Sequence, residues 1–230
     1  MSKKNIGILL SGSGVFDGTE IHEAVFTLLA VDKRGGTAVC FAPDDDQHHV
    51  INHLNGEELN EKRNILIESA RIARGEVQDV TKADVNNLDA LIIPGGFGTA
   101  KNHTKWAFEG PAGPIRQDVK NLITAFVAAN KPILGLCMAP TTIAKALEGS
   151  DHKAKLTVGT TEKESPYDIK GISEGVEKTG ATAEMKAVNE ITIDEKNNII
   201  TAPCYMMKAS VSEVCENIDK GVDALFSKLS

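Results

Sequence analysis

The sequence predicts an α/β protein built on a mostly parallel sheet. Short apolar runs alternate with amphipathic helical patterns along the chain, and glycine- and proline-rich turns follow several of these runs. With 230 residues and no linker rich in proline or serine, the chain is long enough to bury one large core. We therefore expect a single domain that spans residues 1–230.

The first half of the chain divides into strand and helix units. Gly35 and Gly36 end the first predicted helix, and Pro43 ends the second predicted strand. The predicted strands are residues 6–10, 37–42 and 89–93, and the predicted helices are residues 19–34 and 60–74. The third strand runs into the turn PGGFG at residues 94–98.

The second half contains the sharpest strand-to-helix junction. A helix is predicted over residues 115–129, and the strand at 132–136 is followed directly by Cys137. The segment MAP at 138–140 opens the next helix, because proline is tolerated in a first turn where its N–H is not needed. The remaining pattern predicts a strand at 156–158, a helix at 173–180, a hairpin of 190–194 with 199–201, and a closing helix at 211–229.

Composition excludes several classes of function. A net charge of -7 leaves no basic face for nucleic acid or an anionic membrane, and the apolar runs are much shorter than the ~20 residues of a membrane span. The cysteines at positions 40, 137, 204 and 215 have neither metal-ligand spacing nor the density of a disulfide scaffold. The first residues lack the features of a signal peptide. We therefore expect reduced thiols and a cytoplasmic location.

Cys137 is the strongest candidate for chemistry. In an open α/β sheet, ligands bind outside the carboxyl ends of the strands, and a side chain on a strand-to-helix turn is lifted into that crevice. The helix N-terminus should favour its thiolate. The alternative is a buried structural cysteine, which is how we interpret Cys40, Cys204 and Cys215.

Two further features should reach the same rim of the sheet. In the turn at 94–98, Gly95 and Gly96 allow close approach of the backbone, and a free N–H there would stabilise an oxyanion; the alternative is a tight turn alone. Glu23 lies on the first helix just after the glycine-rich loop, where a carboxyl–thiol contact is feasible, although a surface glutamate is the usual case. His22 is its neighbour.

Two other patterns resemble ligand sites but fall short of them. The segment GSG at 12–14 resembles the start of a dinucleotide fingerprint, but its third glycine falls one place late and no acidic residue ends the second strand. His49 and His53 are four residues apart, with His48 adjacent, yet no third ligand is near. We expect neither a cofactor nor a metal ion.

Several segments together resemble a known family. They are GSGVFDG at 12–18, EIHEAV at 20–25, CFAP at 40–43, VINHL at 50–54, PGGFG at 94–98, CMAP at 137–140, TAP at 201–203 and YM at 205–206. These segments resemble the ElbB family of isoprenoid-biosynthesis proteins with an amidotransferase-like domain. That family is part of the class I glutamine amidotransferase-like superfamily, near the PfpI proteases and the parkinsonism-associated deglycase.

The resemblance implies a fold, a site and an activity. It implies a flavodoxin-like three-layer α/β/α sandwich, a homodimer, and a nucleophilic Cys137 hydrogen-bonded to Glu23. It also implies that the N–H groups of Gly96 and Met138 form an oxyanion site. ElbB-like proteins are described as glyoxalases that convert glyoxal to glycolate without glutathione, with deglycase action on early glycation adducts as an extension.

One departure from the superfamily pattern narrows the chemistry. The stretch KLTVGT at 155–160 holds no histidine, so a Cys-His-acid triad is unsupported and glutaminase or peptidase activity is not expected. The leading hypothesis is that Cys137 attacks a small aldehyde or dicarbonyl, that Glu23 moves the protons, and that His22 is a reserve base. The alternatives are a non-enzymatic cysteine sensor of oxidative stress, and an accessory to isoprenoid metabolism that rests only on the family's name.

Overall fold

A seven-stranded sheet forms the centre of the structure, a computed structural model that describes residues 3–229. Its strands are β1 (Asn5–Leu9), β2 (Thr37–Ala42), β3 (Val77–Asp79), β4 (Ala90–Ile93), β5 (Ile133–Leu136), β8 (Thr192–Asp194) and β9 (Ile199–Ala202). A separate pair consists of β6 (Lys155–Leu156) and β7 (Thr182–Ala183). The sheet order is β3-β2-β1-β4-β5-β9-β8, and only the β8–β9 pair is antiparallel. The predicted mostly parallel α/β sheet is confirmed.

Helices cover both faces of this sheet. They are α1 (Ile21–Lys33), α2 (Ile65–Ile72), α3 (Trp106–Glu109), α4 (Gln117–Ala128), α5 (Ala139–Leu147), α6 (Ile169–Lys178) and α7 (Val211–Ser227). Side chains alternate between the faces of a strand. On β5, Leu134 lies against Gly221 of α7, whereas the next residue, Gly135, lies against Ile143 of α5. The helices α7 and α5 therefore lie on opposite faces, which gives the three-layer sandwich expected.

Local capping explains where the helices depart from the sequence prediction. The helix predicted at 60–74 begins only at Ile65, because the Asn64 side chain accepts the Ile67 N–H at 3.0 Å and caps the helix there. The helix predicted at 173–180 begins earlier, because Asp168 caps it at 3.0 Å through Gly171. The strand predicted at 156–158 shares only Leu156 with the short strand β6, and β3 and β7 had no apolar run to predict them.

The strand order determines where a site forms. From β1 the chain passes to β2 on one side, while β4 lies on the other side of β1, so connections diverge at this point of the sheet. In open α/β sheets, crevices form at such switch points beyond the carboxyl ends of the strands. The loops after β1, β4, β5 and β9 meet there. Within residues 3–229, no helix is long and apolar enough to cross a membrane.

Candidate active site

Cys137 occupies a strained elbow between β5 and α5. Its φ of 56° is in the left-handed region, which non-glycine residues rarely adopt and which is common at functional sites. Its N–H donates to the carbonyl of Ala202 at 2.9 Å, so the sheet pairing with β9 holds the strained residue in place. The residue is 5% exposed. The structure thus places the predicted cysteine at a strand-to-helix elbow, with only a small part of its surface open.

Glu23 is fully buried in the first turn of α1 and contacts the Cys137 thiol through a hydrogen bond. Its Oε2 accepts the Gly95 N–H at 2.9 Å, and its Oε1 accepts the Tyr205 N–H at 3.3 Å. The helix itself is capped by Glu20, whose side chain accepts the Glu23 N–H at 2.7 Å. The carboxyl group is therefore held on both oxygens and directed at the sulfur.

Backbone amides surround the sulfur. The N–H groups of Gly96 and Met138 both donate to the Cys137 sulfur, whereas the Gly95 N–H is directed at Glu23. Gly95 therefore serves the carboxyl group and not the oxyanion position that the sequence suggested for it. A Cβ atom at residue 95 would lie 2.6 Å from Glu23 Oε2 and 2.9 Å from the sulfur, so only glycine fits between the two groups.

The electrostatics of the pair differ from the prediction. Burial, together with the nearby charge of Glu20, raises the pKa of Glu23 to about 8. Burial, together with the charge of Glu23, also raises the pKa of the Cys137 thiol well above its usual value, although the two amides at the sulfur act in the opposite direction. Whereas the helix N-terminus led us to expect a resting thiolate, desolvation of the sulfur favours the neutral thiol.

His22 lies in the wall of a cavity beside the pair. Its Nδ1 is 2.9 Å from the Tyr205 hydroxyl, and no contact joins it to Cys137 in the part of the chain that the structure describes. The cavity has a volume of about 780 Å³, and Glu20, Tyr167 and Tyr205 also line it. The structure thus brings Cys137, Glu23, Gly95, Gly96 and Met138 together and leaves His22 outside their contacts.

Cys204 and the two tyrosines were missed by sequence reasoning as site residues. Cys204 is buried, as expected, but it lies close enough to Cys137 for the two to interact electrostatically, and its φ is 48°. Burial raises the pKa of Tyr167 to about 12, and electrostatic interaction with Cys137 contributes in the same direction. Cys204 and Tyr205 directly follow the TAP segment at 201–203, and that position after β9 was the only signal that could have found them.

The other histidines are engaged elsewhere. His48 faces Lys105, His53 contacts Asp17, and His103 faces the carbonyl of Leu10. His49 lies by Glu58, and His152 by Asn197. Across residues 3–229, no group of three His, Cys, Asp or Glu side chains is arranged to hold a metal ion. The site therefore consists of a cysteine–glutamate pair with backbone amides.

Comparisons with known proteins agree with this arrangement. Residues 61–217 match the family model of glutamine amidotransferase class-I. The rat ES1 protein homolog, mitochondrial, is 38% identical over 229 residues, which cover 99% of this chain and 83% of the rat protein. The human glutamine amidotransferase-like class 1 domain-containing protein 3, mitochondrial, is 39% identical over 215 residues, 93% of this chain and 79% of the human protein.

Solved structures give the same result. The isoprenoid biosynthesis protein with amidotransferase-like domain from Ehrlichia chaffeensis superposes with a TM-score of 0.89 at 32% identity, covering 99% of this chain and 100% of that one. Drosophila melanogaster DJ-1beta has a TM-score of 0.55 at 14% identity, over 99% of this chain and 94% of the fly protein, and so shares the fold alone.

The fold and the matches define a class of protein. The chain belongs to the class-I glutamine amidotransferase family, as a member similar to the ES1 proteins. The predicted resemblance to the ElbB group is confirmed by the Ehrlichia structure. The predicted cytoplasmic location is wrong by this comparison, because the rat, human and zebrafish relatives are all named mitochondrial. The prediction had relied on the lack of a signal-peptide pattern, which does not bear on a mitochondrial location.

Proposed function

We propose that this protein converts glyoxal-type dicarbonyls to hydroxy acids without glutathione, with Cys137 as nucleophile and Glu23 as proton carrier. The observation that carries the proposal is the hydrogen bond between the Cys137 thiol and a buried carboxyl group whose pKa is about 8. A carboxyl group with that pKa gains and loses protons close to neutral pH, as a general acid–base catalyst must.

The first step is addition of sulfur to an aldehyde. The Glu23 carboxylate takes the S–H proton while the sulfur bonds to the carbonyl carbon, and protonation of the oxygen then gives a hemithioacetal. The Gly96 and Met138 amides, which donate to the sulfur at rest, are the donors closest to the developing oxyanion. No metal or cofactor is invoked in this step.

The remaining steps move one proton and add one water. Glu23 removes the C–H proton of the hemithioacetal to form an enediol, and the neighbouring carbon takes a proton in return. The former aldehyde carbon is thereby oxidised and the former carbonyl carbon reduced, which leaves a thioester on Cys137. Attack of water on the thioester releases glycolate and returns the thiol, so no external oxidant is needed.

The test is glycolate formation from glyoxal by purified protein. Cys137→Ala should abolish the product, and Glu23→Gln should lower the rate by about 10²- to 10⁴-fold, the usual contribution of a general acid–base group. Cys215→Ala is the matched control, because Cys215 is a partly exposed thiol on α7. Equal rates in wild type and Cys137→Ala would refute the proposal.

A second candidate is a cysteine-based oxidation sensor, which the position of Cys204 favours. Peroxide would oxidise the Cys137 thiol to a sulfenic acid, and the Cys204 thiol would displace water from it to form a disulfide. Mass spectrometry after peroxide treatment should then show a loss of two hydrogens across the two peptides. Oxidation confined to Cys215, with Cys137 intact, would refute the sensor.

We also propose a homodimer that forms through α1. Ile21, Val25 and Leu29 make an apolar stripe along this helix and are 44%, 45% and 42% exposed. His22, the neighbour of Ile21 on the same helix, lines the cavity. Sedimentation should show a dimer that Val25→Glu dissociates. Ile67→Glu, at an exposed site on α2, should not, and a monomeric wild type would refute the proposal.

A further inference from the structure

The cavity beside Cys137 is much larger than glyoxal requires. Its volume of about 780 Å³ lies within the range of about 300–1,000 Å³ that is typical of sites for drug-sized ligands. Resting on the function proposed above, we propose that the substrate is an uncharged 2-oxoaldehyde, a dicarbonyl whose ketone carbon carries an apolar group at least as large as a benzene ring. The cavity would bind this group and present the aldehyde to Cys137.

Residues that line the cavity contact Glu23 of the cysteine–glutamate pair. Glu20 lines the cavity and accepts the Glu23 N–H at 2.7 Å. Tyr205 lines it as well, and its own N–H donates to the Glu23 carboxyl group. Two residues of the lining, Glu20 and Tyr205, therefore contact the acid–base group directly.

The walls of the cavity are mainly apolar. Phe16 and Val15 form part of one side, and Pro166, Tyr167 and Met207 contribute to the rest. Tyr167 is held in position by an edge-to-face contact with Phe97, at 5.8 Å between ring centroids. A substrate as small as glyoxal would leave this surface in contact with water, whereas an apolar group would bury it with a gain in binding free energy.

The charges that line the cavity disfavour an anionic substrate. Its acidic residues are Glu20 and Glu164, and its lysine, Lys208, is already paired with Glu164 at 2.6 Å. No unpaired cation among the lining residues is therefore available for a phosphate or a carboxylate. The same charges would favour release of the carboxylate product. The geometry thus matches a neutral 2-oxoaldehyde that becomes a hydroxy-acid anion on conversion.

Alkylation of Cys137 tests the cavity separately from turnover. The probes are iodoacetamide, iodoacetate and N-benzyl iodoacetamide, in each of which the thiolate displaces iodide. The rate at the Cys137 peptide is measured by mass spectrometry and divided by the rate of the same reagent with glutathione. We expect the benzyl reagent to exceed iodoacetamide by about tenfold, as apolar pockets typically discriminate, and iodoacetate to be the slowest.

Two phenylalanines make a matched pair of variants. Phe16→Ala should remove most of the benzyl preference, Phe16→Leu should restore much of it, and Phe108→Ala should leave it unchanged. Phe16 is 37% and Phe108 44% exposed, and Phe108 packs against His48 outside the cavity. A benzyl preference that is absent, or that Phe16→Ala does not reduce, would overturn the inference.

Glyoxal turnover on the same preparations separates the two proposals. Glycolate formation without a benzyl preference would refute the inference and leave the proposed activity standing. A benzyl preference without glycolate formation would refute the proposed activity for the two-carbon dicarbonyl, while the cavity would still be shown to bind an apolar group beside Cys137.

Discussion

Glu23→Gln should change how stability depends on pH. Burial and the charge of Glu20 raise the pKa of Glu23 from 4.5 to about 8. Between these values the folded protein holds a proton that the unfolded chain has released, so the free energy of unfolding falls as the pH rises. At about 1.36 kcal/mol for each pH unit, the whole fall amounts to about 5 kcal/mol and is complete above about pH 8.

The assay is urea unfolding under reducing conditions, from about pH 5 to about pH 9. Glutamine cannot ionise, so the free energy of unfolding of the variant should lack the decrease with rising pH that Glu23 causes. At the acid end it should be about 1 kcal/mol less stable than wild type, because the amide nitrogen that replaces one carboxyl oxygen accepts no hydrogen bond and leaves one of the two backbone N–H groups without a partner. Glu177→Gln, at an exposed glutamate on α6, is the control and should parallel wild type. Parallel curves for wild type and Glu23→Gln would refute the reasoning.

Three shorter predictions concern the same regions. Burial lowers the pKa of His103 from 6.5 to about 4, so stability should fall by about 3 kcal/mol as the pH drops through that range, and acid unfolding of His103→Gln should lack this loss. Gly95→Ala forces a Cβ atom against the Cys137–Glu23 pair and should cost about 1–3 kcal/mol in urea unfolding, with loss of glycolate formation; an unchanged variant would show that the site can relax. The pH of half-maximal alkylation of Cys137 should lie above that of glutathione and should move down in Glu23→Gln, because the carboxylate charge raises the thiol pKa. A move upward would show that protonated Glu23 stabilises a thiolate.

The parts of the site that depend on local pattern could be predicted from the sequence. The elbow at Cys137 could be predicted because the apolar run of the strand and the MAP segment that opens the helix lie next to each other in the sequence. The hairpin of β8 and β9 follows from two short runs around a polar turn, and it is confirmed. The position of Glu23 at the sulfur was plausible on geometry alone, and the family resemblance supplied the reason to prefer it.

The parts that depend on strand order and burial could not be predicted. Cys204 reaches Cys137 because β9 lies beside β5, a neighbour relation that no local pattern encodes. The direction of the Gly95 N–H depends on where α1 places Glu23 relative to the turn after β4. The raised pKa of the Cys137 thiol could not be predicted for the same reason. The sequence shows that the N-terminus of α5 lies beside the cysteine, whereas the desolvation that raises the pKa exists only in the packed structure.

The raised pKa values of Glu23 and Cys137 bear on which proposed function the site serves better. Burial raises the pKa of Glu23 to about 8 and that of Cys137 well above the usual thiol value, so the buried site favours a neutral thiol. Peroxide reacts with thiolates, so a thiol in this state is a slow sensor. Addition to a carbonyl does not require a resting thiolate, since the Glu23 carboxylate can take the proton as the S–C bond forms. The burial that protects the sulfur from oxidation therefore also creates the base that its addition to an aldehyde needs, which favours the enzymatic proposal.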